Sequence, residues 1–142
     1  SNQPAMVYIT RRERFNAAHK LWVKDWSEER NMDVFGKCAN KNWHGHNYEL
    51  FVTVKGRPDA KTGFVMDIKK LSKLIKKQIV DDVDHSNLNL DVEWIPADLQ
   101  PTTENLVILF WQRLRDELEG CELHCIKLHE TENIYAEYYG EE

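Results

Sequence analysis

Two histidines separated by one glycine, His44-Gly45-His46, are the first feature of this sequence that could do chemistry. Residues i and i+2 of a β-strand project from the same face, so both imidazoles could reach one metal ion. His19 ends an earlier β-like segment, which could pair antiparallel with this strand and supply a third ligand. Three neutral imidazoles with an open position make a catalytic zinc site. Ordinary polar histidines are the alternative interpretation of the pair alone.

Cys38 lies just upstream of the histidine pair, and two roles compete for it. As a fourth zinc ligand it would close the site and make it structural. As a free thiol beside the metal it could act as a base, because a nearby cation lowers a thiol pKa and favours the thiolate. The other two cysteines, Cys121 and Cys125, have apolar neighbours and are predicted to be reduced core residues of a cytoplasmic protein.

Carboxylates provide the remaining chemistry. Asp84 precedes His85, and a carboxylate can orient an imidazole for acid–base work, although neighbours in a strand seldom bond side chain to side chain. The alternative is that His85 lies in the C-terminal turn of a helix, where its imidazole would interact favourably with the helix dipole. Glu130 ends a predicted strand and could accept the paired N–H groups of a guanidine-like heterocycle. Glu104 lies in the first turn of a predicted helix, where the helix dipole favours a carboxylate whether or not it has a function.

Alternating and helical patterns predict the elements that position these residues. Strands are expected over 7–19, 46–55, 122–130 and 134–139, and helices from Asp67 to about Val83 and from Pro101-Thr102-Thr103 to near Gly120. Residues 20–43 and 84–101 are predicted to be long irregular connections, which are often functional. The order β-β-α-α-β-β predicts an α+β fold, with a four-stranded antiparallel sheet and two helices on one face.

The 142 residues predict a single domain, expected over 6–142, because Ser1 and Asn2 resemble an expression scar and place the native start near Met6. A net charge of −5 argues against a general nucleic-acid partner. The longest apolar run, 106–111, is too short for a membrane span, and no signal peptide is visible, so no membrane partner is expected.

Taken together and in this order, the motifs resemble the 6-pyruvoyltetrahydropterin synthase family, which includes the bacterial 6-carboxytetrahydropterin synthases. The resemblance extends from Phe15 to Gly140. The matching segments are Phe15-Asn16-Ala17-Ala18-His19, Gly36-Lys37-Cys38, His44-Gly45-His46-Asn47-Tyr48, Thr62-Gly63-Phe64-Val65-Met66-Asp67, Asp84-His85, Asn87-Leu88, Pro101-Thr102-Thr103-Glu104-Asn105-Leu106 and His129-Glu130-Thr131.

The resemblance implies a fold, an assembly and a role for each matched residue. It implies the tunnelling fold (T-fold), in which subunits close a barrel and two trimers stack into a hexamer with active sites between subunits. It implies that His19, His44 and His46 hold Zn²⁺. It implies that Cys38 is the catalytic thiol and that Asp84 and His85 are its proton-relay pair. It implies that Glu130 anchors the pterin, and that Thr102, Thr103 and Glu104 line its pocket.

The implied reaction is a zinc-dependent lyase reaction on 7,8-dihydroneopterin triphosphate that gives 6-pyruvoyltetrahydropterin and triphosphate. The spacing from Cys38 to His44 resembles that of the animal-type pyruvoyl enzymes. One alternative is the 6-carboxytetrahydropterin synthase reaction of queuosine biosynthesis, which releases acetaldehyde as well as triphosphate. A second alternative, of another class, is a zinc-stabilised pterin-binding module without catalysis.

Overall fold

The computed structural model describes residues 5–142, and within them five strands form one sheet in the order β3-β1-β2-β4-β5. The strands are β1 (Val7–His19), β2 (His44–Gly56), β3 (Ser86–Asn87), β4 (Glu122–Thr131) and β5 (Ile134–Tyr138). The two longest strands, β1 and β2, pair antiparallel over their whole length, from Val7 opposite Gly56 to His19 opposite His44. The expected pairing of the first two strands is therefore confirmed.

The prediction of four antiparallel strands is wrong in one respect. β3 pairs parallel with β1 through Ser86 opposite Ala17 and Asn87 opposite Ala18, so the sheet is mixed and has a fifth strand. The backbone N–H of Leu88 also donates to the carbonyl of Ala18, at 2.8 Å. A strand of two residues is too short to show an alternating pattern, which is why the sequence did not reveal it.

Within the described residues, three helical segments longer than a single turn accompany the sheet. They are α1 (Glu28–Phe35), α2, which begins with Ile68–Ile75 and continues through a π-helical turn at Lys76–Val80 to Asp81–Val83, and α3 (Thr103–Leu114). Asp67 caps α2 and Thr102 caps α3, as the sequence predicted. The region around α1 was expected to be irregular, because α1 buries only Asn31 and so shows no apolar stripe. The capping Ser27 and the acidic residues after it are the signal that could have revealed the helix.

The helix α3 ends at Leu114, earlier than the predicted end near Gly120. Leu118 packs against the core from the turn that follows, so the apolar periodicity continues past the helix. A periodic pattern therefore overestimated the helix length by about one and a half turns.

The helices α2 and α3 cover one face of the sheet, as expected. The ring of Phe15 on β1 stacks on Tyr48 of β2 at 4.7 Å and meets Phe110 of α3 edge-on at 6.1 Å. Leu71 and Ile75 of α2 are fully buried in the same core. No helix among residues 5–142 is long and apolar enough to cross a membrane.

Candidate active site

Three imidazoles meet at one end of the β1–β2 ladder. His19 lies directly opposite His44, and His46 lies opposite Ala17, so the three side chains share the helix-covered face. The ring centroids are 4.6–5.1 Å apart and the ring planes are steeply inclined to one another, at 71–88°. One nitrogen from each ring lies within 4.8 Å of the others, an arrangement that could hold a metal ion.

Gly45 separates His44 and His46 for no obvious steric reason. A Cβ at Gly45 would meet the carbonyl oxygen of Ala17 at 3.7 Å, which is ordinary van der Waals contact. A larger residue at this position would therefore not crowd the neighbouring strand. The alternation of the strand alone is enough to bring the two imidazoles to one face.

The orientation of His19 is fixed by a backbone carbonyl. Its Nδ1 lies 2.9 Å from the oxygen of Pro101, and the ring is 1% exposed. Because a carbonyl can only accept, Nδ1 carries the proton and the lone pair of Nε2 points towards His44 and His46. Metal-binding histidines are commonly oriented by such a contact.

The chemistry of the three imidazoles fits a metal ion such as zinc. Burial lowers the pKa of His19, His44 and His46, so the neutral ligand form is favoured. Among the described residues, Nε2 of His46 is buried without a hydrogen-bond partner. Nε2 of His19 and Nε2 of His44 lie 3.2 Å apart, although the first has no proton to donate. A shared cation would satisfy all three nitrogens.

Cys38 lies beside this group and outside it. Its Sγ is 3.7 Å from Nε2 of His44, at the end of a 3₁₀ turn over Gly36–Ala39 that precedes β2. Burial, and then the charge of Glu130, raise the pKa of this thiol. The chain's own groups therefore oppose formation of the thiolate, and a cation at the neighbouring histidines would favour it.

Glu130 points into the same space from β4. Its Oε1 lies 3.5 Å from Nε2 of His19 and 3.8 Å from Nε2 of His46. A register shift in the pairing of β4 with β5 lies between His129 and Thr131, so Glu130 falls at a local irregularity of the strand. Such irregularities re-aim side chains near functional sites.

Asp84 and His85 lie elsewhere, at the edge of the sheet. Asp84 accepts from the backbone N–H of Asn16 at 2.9 Å, and His85 donates its own N–H to the Asn16 carbonyl at 2.6 Å. Oδ2 of Asp84 lies 3.0 Å from Nδ1 of His85, whose side chain is 82% exposed. Neither residue contacts Cys38 within the described chain.

The two side chains of this pair do meet, contrary to the general expectation for neighbours in a strand. His85 follows the end of α2 and has a φ of 58°, in the left-handed region that residues other than glycine rarely adopt. The strained turn brings the imidazole back onto the carboxylate. A cavity of about 480 Å³, lined in part by Arg14, Asn47 and Asp84, opens beside the pair.

The segment Thr102–Glu104 forms the start of α3. Oγ1 of Thr102 accepts from the N–H of Asn105 at 3.2 Å, Thr103 is buried, and Glu104 is exposed. The preceding Pro101 provides the carbonyl that orients His19. The segment is thereby tied to the histidine group through its neighbour.

Sequence reasoning missed two groups at this site. One is Tyr48, a buried residue whose hydroxyl lies 3.5 Å from Nδ1 of His19. The Pro101 carbonyl was not considered at all, since nothing in a sequence marks one backbone oxygen as a partner of a distant side chain. For Tyr48, its position two residues after His46 on the same strand face was the available signal.

Comparison with known proteins identifies the family. A family model for 6-pyruvoyl tetrahydropterin synthase matches residues 8–141. The chain belongs to the 6-pyruvoyl tetrahydropterin synthase family. It is 43% identical over 133 residues to the 6-pyruvoyl tetrahydrobiopterin synthase of Pongo abelii, with 94% of this chain and 91% of the relative covered. The Drosophila melanogaster protein of that name is 42% identical over 141 residues, with 99% and 83% covered.

A solved structure places the fold in the same family. The 6-pyruvoyl tetrahydropterin synthase of Caenorhabditis elegans is 34% identical and superposes with a TM-score of 0.90, over 99% of this chain and 100% of that one. The resemblance inferred from the motifs is thereby confirmed. The histidine group, Cys38 and Glu130 all lie within the matched residues of this 6-pyruvoyl tetrahydropterin synthase family member.

Proposed function

We propose that the chain converts 7,8-dihydroneopterin triphosphate into 6-pyruvoyltetrahydropterin and triphosphate, with Zn²⁺ as its metal. The observation that carries this proposal is the convergence of three neutral imidazoles beside one thiol, with Sγ of Cys38 3.7 Å from His44. The names of relatives 42–43% identical to this chain support the same reaction. The reaction needs no external oxidant, because the pterin ring gains the two electrons that the side chain loses.

His19, His44 and His46 hold the metal, and the Pro101 carbonyl keeps the lone pair of His19 directed at it. When bound there, zinc supplies a Lewis acid for the side-chain hydroxyls of the substrate. Sγ of Cys38 takes a proton from a side-chain carbon of the substrate. Sγ lies at the rim of the histidine group and not among the three imidazoles. This position supports a role for Cys38 as a base and not as a fourth metal ligand.

The pterin ring is bound by Glu130 and by the start of α3. A carboxylate can accept two parallel N–H groups from the amidine edge of a pterin, which gives orientation as well as affinity. Thr102, Thr103 and Glu104 line the rest of the pocket, next to the Pro101 carbonyl. In this proposal the ring lies on one side of the histidines and the reacting side chain lies beside Cys38.

The relay pair acts from a neighbouring subunit. Nδ1 of His85 is held by Asp84, which leaves Nε2 at an 82% exposed position to give or take protons. The exposure of this pair supports a role at a subunit boundary. Among residues 5–142, β3 pairs with β1 only at Ala17 and Ala18, so within that part of the chain residues 7–15 of β1 have an open edge, as does β5. Open edges of this kind pair with another chain.

We therefore propose that subunits join edge to edge into a trimeric barrel, and that two trimers form a hexamer. The location we propose is the cytoplasm. It is supported by the three cysteines, all within the described residues, which are free thiols.

Product analysis by mass spectrometry tests the reaction. Zinc-loaded protein is incubated with 7,8-dihydroneopterin triphosphate, beside a chelator-treated sample and the Cys38→Ala variant. We expect 6-pyruvoyltetrahydropterin from the zinc-loaded protein alone. A carboxypterin with acetaldehyde would assign the alternative lyase reaction, and absence of any product would favour the binding module.

A further inference from the structure

Three amide side chains bind the backbone of residues 20–23, the segment that follows His19 at the end of β1 and that we call the clamped segment. Asn89 accepts from the N–H of Lys20 at 2.8 Å and donates to its carbonyl at 2.9 Å. Gln100 does the same to Trp22, at 3.0 and 2.7 Å. Asn31, which is fully buried, does the same to Val23, at 2.7 and 3.0 Å. We call these three residues the amide clamp.

Each amide of the clamp makes the two backbone hydrogen bonds that a neighbouring strand would otherwise make. Residues 20–23 continue beyond the end of β1, where no strand among the described residues pairs with them, and backbone N–H and C=O groups without partners are costly when they are partly buried. Only Asn and Gln carry a donor and an acceptor side by side, so one such side chain can satisfy both groups of one residue. Neither a carboxylate nor an ammonium group can make this pair of bonds.

The clamped segment connects the two chemical groups of the site. His19 comes directly before it, and the N–H of Leu21 in its middle donates to the carbonyl of Cys38 at 2.7 Å. The segment therefore links the backbone position of Cys38 to that of His19. Any shift of its backbone moves Cys38 relative to His19.

Gln100 has a second connection to the same site. It precedes Pro101, whose carbonyl orients the ring of His19 at 2.9 Å. Its own carbonyl accepts from Nδ2 of Asn105 in the first turn of α3. Gln100 thus fixes Trp22 through its side chain and the orientation of His19 through its backbone neighbour.

We propose that Gln100 is a positioning residue that sets the geometry of His19 and Cys38 through the amide clamp. This inference rests on the proposed function only for the roles of those two residues. It concerns the shape of the site, which can be measured without turnover. It also assigns a purpose to the two long connections, since Gln100 and Asn89 lie in one and their backbone partners lie in the other.

The test is the substitution Gln100→Met, which keeps the length of the side chain and removes both hydrogen bonds. Gln112→Met, at an exposed position of α3, is the matched control. The zinc dissociation constant is measured by competition with a chromogenic chelator. We expect Gln100→Met to weaken zinc binding by about tenfold or more, as for other residues that orient metal ligands, and the control to match the unaltered protein.

Alkylation of Cys38 in the metal-free protein provides a second measurement. Peptide mapping separates this thiol from Cys121 and Cys125. We expect iodoacetamide to modify Cys38 several times faster in Gln100→Met, because the backbone of Cys38, whose carbonyl accepts from the N–H of Leu21, is no longer fixed by the clamped segment. Loss of thermal stability with unchanged zinc affinity and unchanged alkylation would overturn the proposal and leave Gln100 a purely structural residue.

Asn89→Ala is the second variant, for use if Gln100→Met does not fold. It removes the bonds to Lys20, next to His19, and is expected to weaken zinc binding in the same direction. In variants that turn over, kcat should fall more than KM rises. Suppose that the unaltered protein binds zinc, that Gln100→Met weakens this binding, and that the unaltered protein makes no pterin product. The proposed function then fails and this inference stands.

Discussion

Oε1 of Glu130 lies 3.5 Å from Nε2 of His19, so a carboxylate faces the nitrogen that would coordinate a metal. Burial lowers the pKa of His19, and the negative charge of Glu130 opposes this with a smaller effect. This geometry allows Glu130 either to bind the metal or to bind the substrate beside it. The proposed function assigns it to the pterin, because the three imidazoles already form a set that leaves an open position.

Glu130→Gln separates these two roles. The amide keeps the size of the side chain and loses the charge, so we expect neopterin to bind about tenfold to a hundredfold more weakly, as for other charged hydrogen bonds. Zinc content should be unchanged. Fluorescence titration with neopterin and metal analysis of the same sample measure both. Glu132→Gln, at an exposed position of the turn after β4, is the control. Loss of zinc from Glu130→Gln would make Glu130 a ligand.

Cys38→Ala tests the thiol as a base. A positioned general base contributes about 10²–10⁴ to a rate, so turnover should fall by about that factor. Zinc and neopterin should bind as before, since Sγ lies beside the histidine group and outside it. Cys121→Ala removes a thiol that contacts Met66, far along the chain from this site, and should retain turnover. A parallel loss of zinc from Cys38→Ala would support a closed, four-ligand site.

Much of the fold could be predicted from periodicity, and the failures have physical causes. β1 from Glu13 onward and β2 from Tyr48 onward bury every second residue, which gives a clear alternation, and Asp67 and Thr102 are typical caps. α1 buries a single asparagine, so its amphipathic signal is absent. β3 is held by its neighbours and has no pattern of its own. Local sequence reveals elements that bury an apolar face and misses those that depend on tertiary contacts.

The site was predictable to the same extent. The spacing of His44 and His46 on one strand face, and the pairing of that strand with β1, bring the three histidines together from pattern alone. The Pro101 carbonyl with His19, Asn89 with Lys20 and Gln100 with Trp22 are joined by hydrogen bonds between residues 69–82 positions apart. Such contacts leave no periodic trace, so they required the structure.

Mixing two inactive variants tests the shared active site. If Cys38 and His85 serve one site from two subunits, a Cys38→Ala subunit and a His85→Ala subunit can complement each other. Random 1:1 mixing in a symmetric ring leaves about one quarter of the sites with both residues intact. We expect co-expressed variants to recover up to that fraction of activity. Mixed oligomers, verified with two affinity tags, that stay inactive would place both residues in sites within one chain.

Asp84→Asn tests the electrostatic role of that carboxylate. Its hydrogen bond from the Asn16 N–H, and then its contact with His85, lower its pKa. A lowered folded-state pKa means that the ionised form stabilises the fold above about pH 4, and that this contribution is lost as the pH falls through the folded-state value. We expect Asp84→Asn to lower the free energy of unfolding at pH 7 by less than about 1 kcal/mol, since the group is partly exposed. The difference should vanish near pH 2.

Urea unfolding at pH 7, 4 and 2 measures the effect. Asp81→Asn, which alters a nearby exposed carboxylate of α2, is the control for a change of charge alone. A difference between Asp84→Asn and the unaltered protein that persists undiminished at pH 2 would mean that the carboxylate acts through packing and not through its charge.

Thr102 connects the stability of α3 with binding at its start. Its Oγ1 caps the helix through the N–H of Asn105, so Thr102→Ala should lower the free energy of unfolding by about 1 kcal/mol. Thr102→Ser keeps the hydroxyl and should restore most of that loss. Because the cap also fixes the turn at Pro101, and so His19, we expect the alanine variant to bind neopterin more weakly than the serine variant does.

Urea unfolding and neopterin titration of both variants separate the two effects. Equal neopterin affinity in both variants would make Thr102 a helix cap only. Its assignment to the pterin pocket would then be wrong.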